Sequence, residues 1–146
     1  MTRIAINGFG RIGRSVFRVI NQRPESDLEI VAINDLADEE MTAYLLQFDT
    51  VMGVFPGEVT VENGDLVAGN HRAKLLTVRD PADLPWEELG VDVVIESTGV
   101  FRTREAVSKH LAAGAKRVIL TVPAKDELDA TVVLGVNDDD LGADDL

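Results

Sequence analysis

Residues 4–14 read I-A-I-N-G-F-G-R-I-G-R. A short apolar run is followed at once by Gly8, Gly10 and Gly13, and no other stretch limits the fold as strongly. Arg3 to Asn7 reads as a strand. Ile12, Val16, Phe17, Val19 and Ile20 recur at helical spacing over residues 11–21. G-x-G-x-x-G between a strand and a helix is the pattern of a loop that cradles a dinucleotide. Each glycine has a separate reason. Gly8 permits a tight turn, Gly10 lets a diphosphate approach bare backbone, and Gly13 lets the helix pack close to the strand. Phe9 belongs to the same loop. Arg11 and Ile12 open the helix, and their free N–H groups would face the anion, aided by the helix dipole.

A second strand is expected at Leu28–Asn34 (L-E-I-V-A-I-N), with Asp35 at its carboxyl end, 22 residues after Gly13. A carboxylate there accepts from both ribose hydroxyls of an adenosine and repels a 2′-phosphate. The next residues, L-A-D-E-E, hold no Arg or Lys to receive such a phosphate. The expected cofactor is therefore NAD, not NADP.

Residues 37–48 look helical, with Met41, Tyr44, Leu45 and Phe48 on one face. Residues 50–80 then form short alternating pieces broken by Gly53, Gly57, Gly64 and Gly69. Asn63-Gly64 and Gly69-Asn70 are hairpin-turn signals, so an antiparallel excursion is expected here. Val91–Glu96 reads as a buried strand followed by S-T-G. Thr103 caps a helix to about Ala112, and Gly114 stops it. Lys116–Val122 and Ala130–Val136 read as further strands. Strands alternating with helices predict one α/β domain over residues 1–146. Its architecture is Rossmann-type: a doubly wound, mostly parallel sheet with the antiparallel excursion.

The net charge of −12 argues against nucleic acid or an anionic membrane as a partner. There is no cysteine, and no apolar run long enough to span a bilayer. A soluble, cytoplasmic protein is expected. The acidic groups at 38–40, 87–88 and 138–145 are spaced too linearly for a metal site and read as solvated faces. Only His71 and His110 could act as bases. His71 falls in an expected hairpin turn and is read as solvent-facing. His110 is read as a helix-surface or packing residue, and Trp86 as an anchor holding a short helix to the sheet.

Seven ordered blocks carry a resemblance. They are I-N-G-F-G-R-I-G-R, A-I-N-D-L, L-L-x-F-D-T-V-x-G, R-D-P-A-D-L-P-W, V-I-E-S-T-G-V-F, H-L-x-A-G-A-K-R-V-I-L-T-V-P-A-K-D and T-V-V-L-G-V-N-D. Together they resemble the amino-terminal half of phosphorylating glyceraldehyde-3-phosphate dehydrogenase. The resemblance implies a tetrameric enzyme that uses NAD, phosphate and a cysteine thioester. It implies that Arg11 and Ile12 lie at the pyrophosphate and nicotinamide side, and that Asp35 holds the ribose. Asn34 and Arg79 would border the adenine, and Ser97, Thr98, Gly99 and Phe101 would line the adenosine pocket. Thr121 would lie near the nicotinamide. Two of these have equally simple readings: Arg79 as a surface partner of Asp80 or Asp83, and Thr121 as an ordinary strand residue. Met52 departs from the His that many members carry, outside the chemistry. The family's nucleophilic Cys motif and later base His lie beyond Leu146. The catalytic half is thus expected to be absent from this chain, which would bind NAD and self-associate without transferring hydride. Two alternatives stay open: a stand-alone NAD-responsive interaction module, and the cofactor half of an erythrose-4-phosphate dehydrogenase.

Overall fold

The computed structural model describes residues 1–146. Strand β1 (Thr2–Asn7) lies between two parallel neighbours, β2 (Leu28–Asn34) and β8 (Val93–Glu96). The strands β5 (Val59–Glu62), β6 (Asp65–Ala68) and β7 (His71–Leu76) form the antiparallel excursion. Its last strand, β7, pairs antiparallel with β6 and parallel with β2. β9 (Arg117–Leu120) forms the opposite edge. The full seven-stranded order is β5-β6-β7-β2-β1-β8-β9. After β1 the chain builds outward on one side, then returns to β8 on the other. That reversal places a crevice beyond the carboxyl ends of β1, β2 and β8, the ligand position of open α/β sheets.

The central strands are apolar almost throughout because both faces are covered. One face packs Ile4, Ile6, Ile30, Ile33 and Ile95 against Phe17 and Ile20 of α1 (Arg11–Asn21) and Leu46 of α2 (Glu39–Gln47). The other packs Ala5, Val31, Ala32 and Val94 against Leu84, Trp86, Val91 and Ala115. A register shift between Ile4 and Ala5 explains why Val31 and Ala32, adjacent in sequence, share a face. Asn63 and Gly64 both have positive φ, 53° and 82°, as a tight Asn-Gly hairpin requires. Thr103 caps α3 (Arg104–Ala112) by accepting from the Ala106 N–H, and Gly114 follows its end with φ of 105°.

Arg18 is buried on α1 between Phe17 and Val19, and three backbone carbonyls account for it. Its guanidinium donates to Leu46 O at 2.6 Å, Gly53 O at 3.0 Å and Met52 O at 3.5 Å, and lies over the Phe55 ring. It ties α1 to the segment containing β3 (Phe48–Asp49) and β4 (Gly53–Val54).

Met41, Tyr44 and Phe48 lie on one side of α2 and its end, with the Tyr44 and Phe48 rings 5.0 Å apart, and this side is exposed; the helix buries Thr42 and Leu46. Asp38 caps the Met41 N–H at 2.7 Å, while the Thr42 hydroxyl bonds Asp38 O and can be buried. Two expectations fail. Residues 130–136 form no strand. No neighbouring strand pairs with them, Gly135 takes a turn conformation at φ 79°, and Val133, Leu134 and Val136 are exposed. His71 is buried, not solvent-facing. It opens β7 opposite Ala68, with its ring edge-on to Phe17 at 5.6 Å. Burial holds its pKa below the ordinary histidine value, with Glu29 opposing weakly.

Candidate functional site

The glycine loop is shaped by contacts that admit no side chain. Gly8 has φ of 90°, and a Cβ there would lie 2.6 Å from Thr98 N and 2.8 Å from Ser97 C. A Cβ on Gly13 would lie 2.3 Å from Gly8 O. Gly10 differs: nothing lies within 4 Å of its Cβ position. It is also the N-cap of α1 and makes no side-chain cap bond. The first-turn N–H groups, those of Arg11 and Ile12 among them, have no intrahelical acceptor and receive no side-chain cap from Gly10. Both side chains are exposed.

Asp35 is tied to this loop. Its Oδ2 accepts from the Phe9 N–H at 2.6 Å and its Oδ1 from the Ala37 N–H at 2.9 Å. Backbone bonds extend the sheet to the same level: Gly8 N to Asn34 O, Ser97 N to Asn7 O, and Asp35 N to Leu76 O. The Ser97 hydroxyl donates to Gly8 O at 2.6 Å. The loops after β1, β2 and β8 thus form one continuous rim that contains Gly8–Gly13, Asn34, Asp35, Ser97, Thr98 and Gly99.

The remaining candidates stand differently. Asn34 is buried: its amide brackets the Val78 backbone, accepting from N and donating to O, both at 2.8 Å. That bond carries the next residue, Arg79, to the same end of the sheet. Arg79 is exposed and has no ion pair; Asp80 pairs instead with Lys109 at 3.0 Å. Phe101 is half-buried just past the S-T-G turn. Thr121 follows β9, with its N–H and hydroxyl both on Glu96 O.

Beneath the rim lies a buried polar network that sequence reasoning missed. Glu96 Oε2 receives Asn7 Nδ2 at 2.6 Å and His110 Nε2 at 2.8 Å. Its Oε1 receives the Thr98 N–H at 2.9 Å and the Thr98 hydroxyl at 2.5 Å. Asn34 Nδ2 donates to Asn7 Oδ1 at 2.7 Å, and Trp86 Nε1 to His110 Nδ1 at 2.9 Å. Burial pushes the Glu96 carboxyl up, but the hydrogen bonds from His110, Thr98 and Asn7 outweigh it and hold the group below its usual value. The available signal was an acid ending a buried apolar run, because buried carboxylates are almost always paired.

A switch-point crevice, an uncapped helix start behind an open glycine and an acid closing the second strand define a dinucleotide-binding α/β domain of the Rossmann type. The family model described as "Glyceraldehyde 3-phosphate dehydrogenase, NAD binding domain" matches residues 2–104. The chain belongs to this family, and its fold is the family's NAD-binding domain. It is 55% identical over 141 residues to glyceraldehyde-3-phosphate dehydrogenase of Thermotoga maritima, covering 97% of this chain and 42% of that one. The Zymomonas mobilis enzyme is 51% identical over 98% of this chain and 42% of its own length. Glyceraldehyde-3-phosphate dehydrogenase 1 of Streptomyces avermitilis is 56% identical over 94% and 40%. The chain thus spans about two-fifths of the length of these relatives.

Proposed function

We propose that residues 1–146 supply the cofactor half of a glyceraldehyde-3-phosphate dehydrogenase and hold NAD across the rim described above. The diphosphate sits over Gly10 on the N–H groups of Arg11 and Ile12. Asp35 accepts the ribose hydroxyls of the adenosine. Asn34 and Arg79 border the adenine, Ser97–Gly99 and Phe101 line the adenosine side, and Thr121 lies toward the nicotinamide. When bound, NAD supplies a hydride acceptor; these residues bind and orient it.

The observation that carries this reading is the 2.6 Å bond from the Phe9 N–H to Asp35 Oδ2. It sets the ribose acid and the phosphate loop as one unit, and a carboxylate oxygen retains lone pairs for a further donor. Asp35 and Glu39 also border one recess with Ala37, Thr42, Leu76 and Thr77, and no Lys or Arg lines it. That supports NAD over NADP. No hydride transfer is expected from these residues alone. They include no thiol, and both histidines are buried and engaged with other side chains or backbone.

Self-association, as in a tetrameric enzyme, belongs to the same proposal. Met41, Tyr44, Phe48, Val51 and Val54 are exposed on α2, β3, β4 and the loop between the two strands, an apolar surface of the kind that partners cover. Sedimentation at micromolar concentration should show species above the monomer; a clean monomer contradicts it. No helix is long and apolar enough to cross a membrane. A cytoplasmic location without nucleic-acid partners is proposed from the acidic, cysteine-free composition. The direct test of function is calorimetric titration with NAD and NADP. Saturable NAD binding with NADP much weaker is expected. No heat with millimolar NAD, or a preference for NADP, would overturn the reading.

A further inference from the structure

We propose that Glu96 is a positioning residue for the cofactor groove: an obligate carboxylate whose four accepted hydrogen bonds set the loops the dinucleotide crosses. The inference rests on the NAD reading of the rim.

The polarity of the two side chains that meet Glu96 Oε2 is fixed from outside. An indole N–H can only donate. Trp86 Nε1 therefore makes His110 Nδ1 an acceptor and leaves the ring proton on Nε2, aimed at Glu96 Oε2. On the other side, the Val78 N–H and C=O orient the Asn34 amide. Asn34 Nδ2 then claims Asn7 Oδ1, so Asn7 must present Nδ2 to Glu96. The Thr98 hydroxyl donates to Glu96 Oε1 beside the Thr98 N–H, and accepts from the Val100 N–H. Four donors converge. The hydroxyl keeps a second lone pair, but Asn7 Nδ2, His110 Nε2 and the Thr98 N–H cannot become acceptors in this arrangement. The NH₂ of an amide in place of Glu96 would face at least one of those three.

The negative charge has no cation against it. His110 is neutral in this arrangement, and no Lys or Arg contacts Glu96. A fully buried carboxylate is costly unless its hydrogen bonds are complete. What those bonds join is the site itself. Asn7 precedes Gly8, Asn34 precedes Asp35, and Thr98 lies against Gly8 with Ser97 bonded to Gly8 O. One carboxylate thus holds the ends of β1, β2 and β8, and through His110 it holds α3. Its removal should misplace the phosphate loop and the ribose acid together without touching either.

The test uses E96Q, which keeps the size and shape of the glutamate and replaces one acceptor oxygen by a donor. Wild type and variant are titrated with NAD by calorimetry and compared by the ¹H–¹⁵N resonance of the Trp86 indole, the only tryptophan in the chain. E96Q should weaken NAD by about tenfold or more and should shift the indole resonance, whereas a role resting on side-chain size alone would leave the affinity unchanged. Wild-type NAD binding with an undiminished E96Q overturns the proposal alone. Wild-type protein that binds no NAD overturns the reading of the site and the proposal with it. If E96Q does not fold, the wild-type His110 ¹⁵N spectrum decides. A proton on Nε2 supports the wiring, and a proton on Nδ1 refutes it.

Discussion

The rim of the crevice and the segment from Thr121 to Leu146 start from similar material and end differently. V-V-I-E before the rim and T-V-V-L-G-V in the later segment are both rich in β-branched residues. The first is β8, hydrogen-bonded to β1 on one side and β9 on the other, with Val94 fully buried. The second has no strand beside it and closes on itself through turn bonds such as Val133 N to Asn137 Oδ1. The later segment is anchored through exposed contacts, among them Arg104 with Asp129 at 2.6 Å. It leaves a cavity of about 790 Å³ against α3 and β9. The rim admits not even a Cβ at Gly8 or Gly13. Strand propensity is a preference for a pleated, half-buried surface, and without neighbours it specifies little.

Substitutions should separate the two regions sharply. The largest loss is expected for Gly8→Ala, which forces a positive φ on alanine and drives its Cβ into the Ser97–Thr98 backbone. Urea unfolding should show about 3 kcal/mol of destabilisation from strain and overpacking together. A loss below about 1 kcal/mol would mean that the rim yields as freely as the later segment.

Asp35→Ala should come next, read as affinity. NAD binding should weaken by about 1–3 kcal/mol in calorimetry, since the change removes charge-assisted bonds to the ribose. It also frees the Phe9 N–H from its acceptor. Unchanged affinity would detach the acid from the groove.

A smaller effect sharpens the comparison within the sheet. His71 is buried against Phe17, and its folded pKa is depressed. The unfolded chain takes up the proton near the ordinary value of about 6.5, while the folded one resists until lower pH. Its contribution to stability is therefore full above that value and declines as pH falls below it toward the depressed folded pKa. The urea midpoint should drop on acidification across this window, and His71→Leu should flatten that slope. An identical slope in the variant would contradict the burial. Least of all, Leu134→Ser, at a side chain 87% exposed, should alter stability by no more than about 0.5 kcal/mol. A clear loss there would show the later segment to be packed.

The same contrast explains what could be read from the chain. Gly8, Gly10, Gly13 and Asp35 were legible because the rules that place them act on backbone over a few residues. The Asn63-Gly64 turn and the Thr103 cap were legible for the same reason. The Asn7–Glu96 bond joins residues 89 apart, and no local pattern announces it. Neither does Arg18, whose acceptors are carbonyls on another part of the chain. The shared face of Met41, Tyr44 and Phe48 was legible from its spacing, but that it turns outward while Thr42 and Leu46 go inward was not. His71 was misjudged by one residue: the Gly69-Asn70 turn is only two residues long, so the histidine already belongs to the strand.

If the uncapped main-chain N–H groups at the start of α1 hold the dinucleotide beside Asp35, a ¹H–¹⁵N titration of the labelled chain with NAD should give saturable shifts concentrated at residues 8–13, 34–35 and 97–99, with Trp86 following through His110 and Glu96. Saturable shifts that leave residues 8–13 unmoved, or no shifts with millimolar NAD, would rule that out.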